Sequence, residues 1–414
     1  MRGAEAVLAC LREQGVDTVF GYPGGMILPL YDALYGQTEI RQILVTHEQN
    51  AAHAADGYAR ATGRVGVCIA TSGPGATNLV TGIATAYMDS IPMVAITGQV
   101  DLEMLGRDAF QETDILDVTM PVTKHNYKVK NAADLVPIIR EAFDLARSGR
   151  PGPVLIDVPR NLFFEEVAYA EQKREERRPG KPDADFAICA AEAAAEIVNA
   201  ERPLVIVGGG VISAGASAQA IAFIEKYKLP VVHTLMGMGG IPSTHPQMLG
   251  FIGMHGAKTA NYAVGAADLV IALGSRFADR QTGNLSKFTA NRKFIHIDID
   301  PAEIDKIVGS SIGLAGDMCV ILNLLMRQAP KSDYAAWWQQ LHTWQEEFAY
   351  DYHSDVLSVP WALNQVARMT AGKACAYATD VGQHQMWAAL HLRVETPRTW
   401  LTSGGLGTMG YGLP

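Results

Sequence analysis

Three runs in the first 165 residues, VGVCIA (65–70), MVAIT (93–97) and PVLIDV (153–158), are apolar at nearly every position and rich in β-branched side chains. A strand with one face in water alternates polar and apolar residues; a run that is apolar throughout reads as a strand buried on both faces. Helical periodicity fits between these runs, over about 26–35, 47–62, 76–87 and 132–147. The opening segment, MRGAEAVLACLREQG, reads as an amphipathic helix ended by Gly15. Alternating helices and doubly buried strands predict an α/β fold built on a parallel sheet.

The pattern breaks from Tyr169 to Asp185, where charge and proline mark a linker. It then resumes with LVIVGGG (204–210), PVVHTL (230–235), LVIALG (269–274) and FIHIDID (294–300) as strands. A polar helical connector begins at KSDYAAWWQQ (331–340), and a further unit starts near 360 with the strand ACAYATD (374–380). The expected organisation is a first domain over 1–165, a linker over 166–188, a central α/β domain over 189–328, a connector over 329–358, and the start of a third domain over 359–414. The chain closes on GGLGTMGYGLP, a glycine-rich stretch with no element to complete a sheet, so the third domain is expected to be incomplete.

Composition narrows the function classes. The chain has 414 residues, which at roughly 150 per domain suggests about three domains. Hydrophobic content of 48% is ordinary for a globular protein. The net charge is −9, and the one basic cluster, Lys173 to Arg178 with Lys181, is interleaved with glutamate. It reads as a solvated linker, so no nucleic-acid partner is expected. No apolar run reaches the ~18 residues of a membrane span, and no secretory leader is visible. The five cysteines are scattered without a CxxC pair, which fits a reduced, cytoplasmic compartment.

The densest chemistry lies in THEQNAAHAADGYAR (46–60). Thr46 and Gln49 are spaced as a capping box with Thr46 as N-cap, and Glu48 falls in the first turn, where the helix dipole favours a carboxylate. Further segments follow one another: GYPGGMILPLYDAL (21–34), GYARATGRVGVCIATSGPGATN (57–78), DSIPMVAITGQV (89–100) and GRDAFQETD (106–114). Each alone is a plain turn or helix start. In this order they resemble the pyrimidine-binding domain of the acetolactate synthase family of thiamine-diphosphate enzymes. LVIVGGGVIS (204–213) lacks the third glycine of a dinucleotide fingerprint, since Ser213 stands there, and by itself reads as a structural turn. With FIGMHGAKTANYA (251–263), GSRFADRQTG (274–283), HIDIDPAEI (296–304) and AGD (315–317) it resembles that family's FAD-binding segments. TDVGQHQMWAA (379–389) and SGGLGTMGYGLP (403–414) resemble the start of its diphosphate-binding domain.

The resemblance implies roles that spacing alone does not. Glu48 would activate thiamine diphosphate by bonding a nitrogen of its aminopyrimidine ring, which favours the imino form that takes the thiazolium proton. Tyr22, Gly24 and Gly25 would line the cofactor, and Gln111 would reach the reacting carbons. Arg280 would bind the carboxylate of the second keto acid; its plain alternative is a surface ion pair with Asp279. FAD would touch Arg150, Gly208, Gly209, Gly210, Thr234, Leu235, Met254, His255, Gly274, Arg276, Asp298, Ile304 and Asp317. Asp300 sits two residues after Asp298, and only one of the two is expected at the cofactor; strand-end capping is the plain reading of the pair. Gly382, Gln383 and His384 would approach the phosphates and Met409 would pack between the cofactor rings; a helix-cap histidine and a core methionine are the plain readings. The chain departs from the family pattern at Met26, Arg160 and Ala278.

The implied function is decarboxylation of pyruvate and transfer of the hydroxyethyl group to pyruvate or 2-ketobutyrate, in branched-chain amino-acid biosynthesis. Mg2+ would bridge the diphosphate, but its GDG motif is absent from the sequence, so the metal ligands are expected beyond residue 414 and these residues alone are expected to be inactive. A homodimer or homotetramer with a small regulatory subunit would follow. Other readings are a related enzyme of the pyruvate oxidase or sulfoacetaldehyde acetyltransferase type, or a non-catalytic FAD-binding fragment. The presence of Glu48 argues against a glyoxylate carboligase, which resembles this family but lacks that glutamate.

Overall fold

The computed structural model describes residues 1–172, 184–330, 334–352 and 357–414. The expected basic cluster at 173–178 with Lys181, and the first three residues of KSDYAAWWQQ, lie outside them. The chain forms two compact units. One holds the described residues up to Gln172 together with Thr379–Val381 and Ser403–Pro414; the other holds the rest.

The first unit is a six-stranded, all-parallel sheet: β1 (Thr18–Gly21), β2 (Arg41–Leu44), β3 (Gly66–Ala70), β4 (Met93–Gln99), β5 (His125–Lys128) and β6 (Pro153–Pro159), in the order β2-β1-β3-β4-β6-β5. Both faces are covered. Helices α1 (Gly3–Glu13), α2 (Leu28–Tyr35) and, later in the chain, the helix Leu135–Arg147 share one apolar cluster with Val67, Ile69, Val94, Ile96, Val154 and Ile156. Helix α3 (Glu48–Thr62), and α4 (Pro74–Asn78) and α5 (Val80–Asp89) after it, lie on the other with Cys68, Ala70, Met93, Ala95 and Leu155. Successive strand residues therefore feed opposite cores, which is why these runs carry no polar alternation.

Helix α3 packs unusually close, and its composition explains why. Ala51, Ala52, Ala55 and Ala59 form one buried stripe. A Cβ on Gly82 of α5 would stand 2.3 Å from Ala52 Cβ, and one on Gly66 of β3 would stand 2.0 Å from the Ala55 carbonyl oxygen. Since the Gly66 contact is with backbone, Gly66→Ala must push helix from sheet. A loss of about 1–3 kcal/mol is expected, measured by urea denaturation; an unchanged midpoint would refute the close packing. The helix starts one residue later than the capping-box reading. His47, not Thr46, is the N-cap, because its Nδ1 accepts the Gln49 amide at 3.1 Å. Gly63, at φ +73°, ends it. The helix expected over 76–87 is two helices, α4 and α5, because Pro74 supplies an early start.

The second unit holds a second all-parallel sheet: β7 (Pro203–Val207), β8 (Val231–His233), β9 (Met248–Phe251), β10 (Leu269–Leu273), β11 (Lys293–Asp298) and β12 (Ile312–Ala315), ordered β12-β11-β10-β7-β8-β9. The connector does not behave as a solvated spacer. Tyr334, Trp337 and Leu341 belong to this unit's core; Tyr334 Oη donates to the Ile197 carbonyl at 2.8 Å and Trp337 Nε1 to the Pro203 carbonyl at 3.1 Å. Beyond it, the expected strand over 374–380 shrinks to β13 (Tyr377–Ala378), paired in parallel with β14 (Trp400–Leu401).

Candidate functional site

The first sheet changes its winding direction between β1 and β3, because β2 is added on one side of β1 and β4 on the far side of β3. Such a reversal opens a crevice at the carboxyl ends of the strands, where ligands bind in open α/β sheets. Tyr22 leaves β1 with its amide donating to the Ile69 carbonyl at 3.3 Å, and its side chain is exposed. Gly24 follows; a Cβ there would stand 2.5 Å from Thr71 Cγ2, and Thr71 Oγ1 accepts the Met26 amide at 3.2 Å. Gly25 faces open space.

Glu48 is the buried carboxylate of this crevice, only 9% exposed at the first turn of α3. Its Oε2 accepts from Asn78 Nδ2 at 2.9 Å. Its Oε1 looks onto Gly75, where a Cβ would lie 3.2 Å away. The SGPGATN stretch thus does two things: its glycines keep the carboxylate approachable and its asparagine orients it. Sequence reading does not single out Asn78 and Thr71; their signal is that Asn78 ends the SGPGATN motif and Thr71 directly precedes it.

Gln111 comes to the same crevice from the loop after β4. It holds φ +62°, and a Cβ on Gly73 would come within 2.9 Å of its own Cβ. Neighbouring Glu112 shapes the loop by accepting the amides of Gly106 at 2.5 Å and Ala109 at 3.0 Å, and these bonds hold its carboxyl below the usual range. Phe110 is 82% exposed.

The 403–414 segment is tied to α3 and α5 through their buried carboxylates Asp56 and Asp89. Arg60 pairs with Asp56 and, at 2.8 Å, with Asp89. Asp89 also accepts the amides of Gly404 at 2.9 Å and Gly405 at 2.7 Å. Tyr411 Oη donates to Asp56 at 2.7 Å; burial, with Asp56 beside it, pushes this phenol well above its ordinary range and keeps it a donor. Asp380 accepts the Gly410 amide at 2.8 Å. This clamp, which sequence reading missed because its members are spread from 56 to 411, leaves Met409 as an exposed side chain rather than a core filler.

The second sheet reverses between β7 and β10. Gly208, Gly209 and Gly210 leave β7 and Gly274 leaves β10, so all four stand at that second crevice. A Cβ on Gly208 would be 2.1 Å from the Gly274 carbonyl oxygen, and one on Gly210 2.6 Å from Gly274 Cα. These glycines let two loop backbones touch. Thr234 and Leu235 follow β8, Met254 and His255 follow β9, Arg276 follows β10, Asp298 ends β11, and Asp317 follows β12. All sit at the same edge of the parallel sheet, with Ile304 packed close to Gly313 of β12. Asp298 is buried and accepts the Asp300 amide at 3.0 Å, whereas Asp300 caps the short turn at Ala302. Asp317 caps the helix Met318–Leu325 through the Val320 amide.

Two expected residues stand apart. Arg150 lies in the first unit, where its Nε donates to Ser90 Oγ at 2.7 Å, so the second unit gathers every expected flavin residue but this one. Arg280 pairs with Asp279 at 2.9 Å, both exposed, which is the surface ion pair; its carbonyl, however, accepts the Met254 amide at 2.8 Å and ties it to the β9 loop. Gly382, Gln383 and His384 are exposed at the start of the helix Gln383–His391.

Comparison with known proteins fits two crevices of this kind in one chain. Residues 1–118 match the thiamine pyrophosphate enzyme N-terminal TPP-binding domain, 190–325 the central domain, and 380–414 the C-terminal TPP-binding domain. The chain is 48% identical to the acetolactate synthase large subunit of Parasynechococcus marenigrum, across 100% of this chain and 68% of that protein. It is 47% identical to the large subunit of Corynebacterium glutamicum, covering 100% and 67%, and 45% identical to the isozyme 3 large subunit of Escherichia coli, covering 100% and 74%. With three domains matching in sequence order and near-half identity along its whole length, the chain belongs to the acetolactate synthase large-subunit family of thiamine pyrophosphate enzymes.

Proposed function

We propose that this protein is an acetolactate synthase, the activity in the name of its relatives, and that it joins two 2-keto acids with loss of carbon dioxide, with pyruvate as first substrate and pyruvate or 2-ketobutyrate as second. The observation that carries this is Glu48: a carboxylate buried at a sheet's winding reversal, fixed by Asn78 on one oxygen and bordered by a glycine on the other. A planar ring carrying a nitrogen fits that arrangement, because Gly73 and Gly75 remove the side chains that would fill it. When bound, thiamine diphosphate supplies the carbon nucleophile and electron sink that decarboxylation requires. Glu48 would hold its aminopyrimidine by a hydrogen bond, with Tyr22, Gly24 and Gly25 alongside. Gln111 would donate to the reacting keto acid, and Arg280 would leave Asp279 to take the second acid's carboxylate.

By the same reading residues 1–165 bind the pyrimidine, 189–328 bind FAD, and 359–414 begin the diphosphate domain, where Gly382, Gln383, His384 and Met409 serve. A flavin dinucleotide suits the β7/β10 reversal, where Gly208 to Gly210 let backbone approach closely. Among the described residues no three His, Cys, Asp or Glu side chains are gathered to hold a metal ion, so no step is assigned to Mg2+. No helix among them is long and apolar enough to cross a membrane. We place the protein in the cytoplasm as a homodimer or homotetramer with a small regulatory subunit, a partner suggested by the "large subunit" names of its relatives.

Feeding labelled pyruvate, with thiamine diphosphate, FAD and Mg2+, to a version of the protein long enough to carry the diphosphate-domain metal ligands tests the proposal. Two pyruvates and a proton should give one acetolactate and one carbon dioxide. Acetate or acetyl phosphate would replace this reading with an oxidase or acetyltransferase. Absence of carbon dioxide at every metal concentration, with FAD retained, would leave a non-catalytic flavin-binding chain.

A further inference from the structure

We infer that Asp157 is a positioning residue: through Gln99 it anchors the loop that presents Gln111 to the β1/β3 crevice. The inference rests on the role proposed above for Gln111. Asp157 lies on β6, fully buried, in register with Thr97 of β4 and Lys128 of β5. Its Oδ1 accepts from Thr97 Oγ1 at 2.7 Å and its Oδ2 from Gln99 Nε2 at 3.0 Å. The same Gln99 nitrogen donates to the Thr113 carbonyl at 2.9 Å, and Gln99 Oε1 accepts the Val100 amide at 2.9 Å. Both hydrogens of the Gln99 amide nitrogen and one lone pair of its oxygen are thus used, which fixes its orientation. Thr113 closes the loop two residues after Gln111. The loop's entry is tied separately, by the Leu102 amide to Asn161 Oδ1 at 3.0 Å. Nothing in the proposed chemistry uses Asp157; burying a carboxyl is costly unless it is hydrogen-bonded, and here Thr97 and Gln99 supply those bonds.

The tether has a titrating end. Burial pushes the Asp157 carboxyl up to about 7, against the pull of Thr97 and Gln99. Lys128 of β5 lowers it and Asp114, at the loop exit, raises it. The helices on this face also carry Glu48 and Asp56 of α3, Asp89 of α5 and exposed Asp117; Asn78 engages Glu48, and Arg60 engages Asp56 and Asp89. Ionised, the carboxylate grips the Gln99 amide by a charge-assisted bond, roughly twice as strong as a neutral one. The loop should therefore tighten as pH rises through about 7. Global stability moves the other way. The folded group keeps its proton above its unfolded value of about 4, so its contribution falls between about pH 4 and 7 and is flat above.

Backbone hydrogen exchange of the full chain from pH 5.5 to 8.5, corrected for intrinsic rates, reads the loop directly at residues 106–114. Wild type should gain protection there across neutrality. Asp157→Asn should abolish that pH dependence while keeping the tether, because its amide can accept from Gln99 and donate to Thr97. Gln99→Met should speed loop exchange by about tenfold at every pH, the loss of roughly one hydrogen bond. Should Gln99→Met loosen the helix 135–147 as well, the Asp157→Asn profile decides alone. A loop profile in Asp157→Asn that follows wild type overturns the inference. In turnover by the version that carries the metal ligands, Gln99→Met should raise the KM of the second keto acid more than it lowers kcat, as Gln111→Ala should. If Gln111→Ala leaves that KM unchanged while the exchange results hold, the role of Gln111 fails and the tether stands.

Discussion

Glu48→Gln should lower acetolactate formation by about a hundredfold to ten-thousandfold, the range general acid–base groups contribute, while leaving the fold intact. The substitution keeps the side chain's length, its place in the first turn of α3 and its acceptor for Asn78. It removes the negative charge and turns the group that borders Gly75 from an accepting oxygen into a donating NH2. Any loss can then be assigned to chemistry rather than shape. The comparison is turnover of pyruvate by both proteins in the version that carries the metal ligands, alongside thermal unfolding and the affinity for thiamine diphosphate measured by fluorescence quenching. Unfolding temperatures within a degree or so, with turnover nearly lost, is the expected result. Undiminished condensation would remove the basis of the proposed function, since no other carboxylate of the crevice is held this way among the described residues.

Arg60→Met should destabilise the first unit by about 3–5 kcal/mol, the cost of stripping one partner from a buried ion pair. Arg60 stands between Asp56 and Asp89, both with side chains 0% exposed. Without the guanidinium these carboxylates keep only Tyr411 and the Gly404 and Gly405 amides as neutral donors. Because those donors belong to 403–414, the damage should spread there: exchange of the Gly404 and Gly405 amides should rise more than that of the sheet. Arg60→Lys should recover only part of the loss, since one ammonium cannot meet two carboxylates with the planar fork of a guanidinium. Urea denaturation provides the measurement, and a change below about 1 kcal/mol would show the network to be dispensable.

Strands β3, β4, β6, β7 and β10 could be read from the sequence because each is buried on both faces and must be apolar at every position. The edge strands β2, β5, β9 and β12 could not. RQIL and HNYK carry polar side chains because an edge faces water, and nothing in four such residues distinguishes strand from loop. The connector misled for the opposite reason. KSDYAAWWQQ is polar on average, yet its apolar side chains fall on one side and Trp337 and Leu341 enter the core.

The sequence by itself determined the alternation of strands and helices, a helix over about 47–62 with Glu48 in its first turn, and the family, because hydrophobic period and motif order are properties of neighbours along a chain. Only the tertiary structure decided which residues meet: that Asn78 orients Glu48, that Gly73 makes room for Gln111, that Arg60 joins Asp56 to Asp89 and that Gln99 ties the loop ending at Thr113 to Asp157. Parallel sheets impose this division. Each strand is joined to its neighbour by a long crossover, so groups that share one strand end come from distant stretches of sequence, and their partnership is written in strand order rather than in spacing.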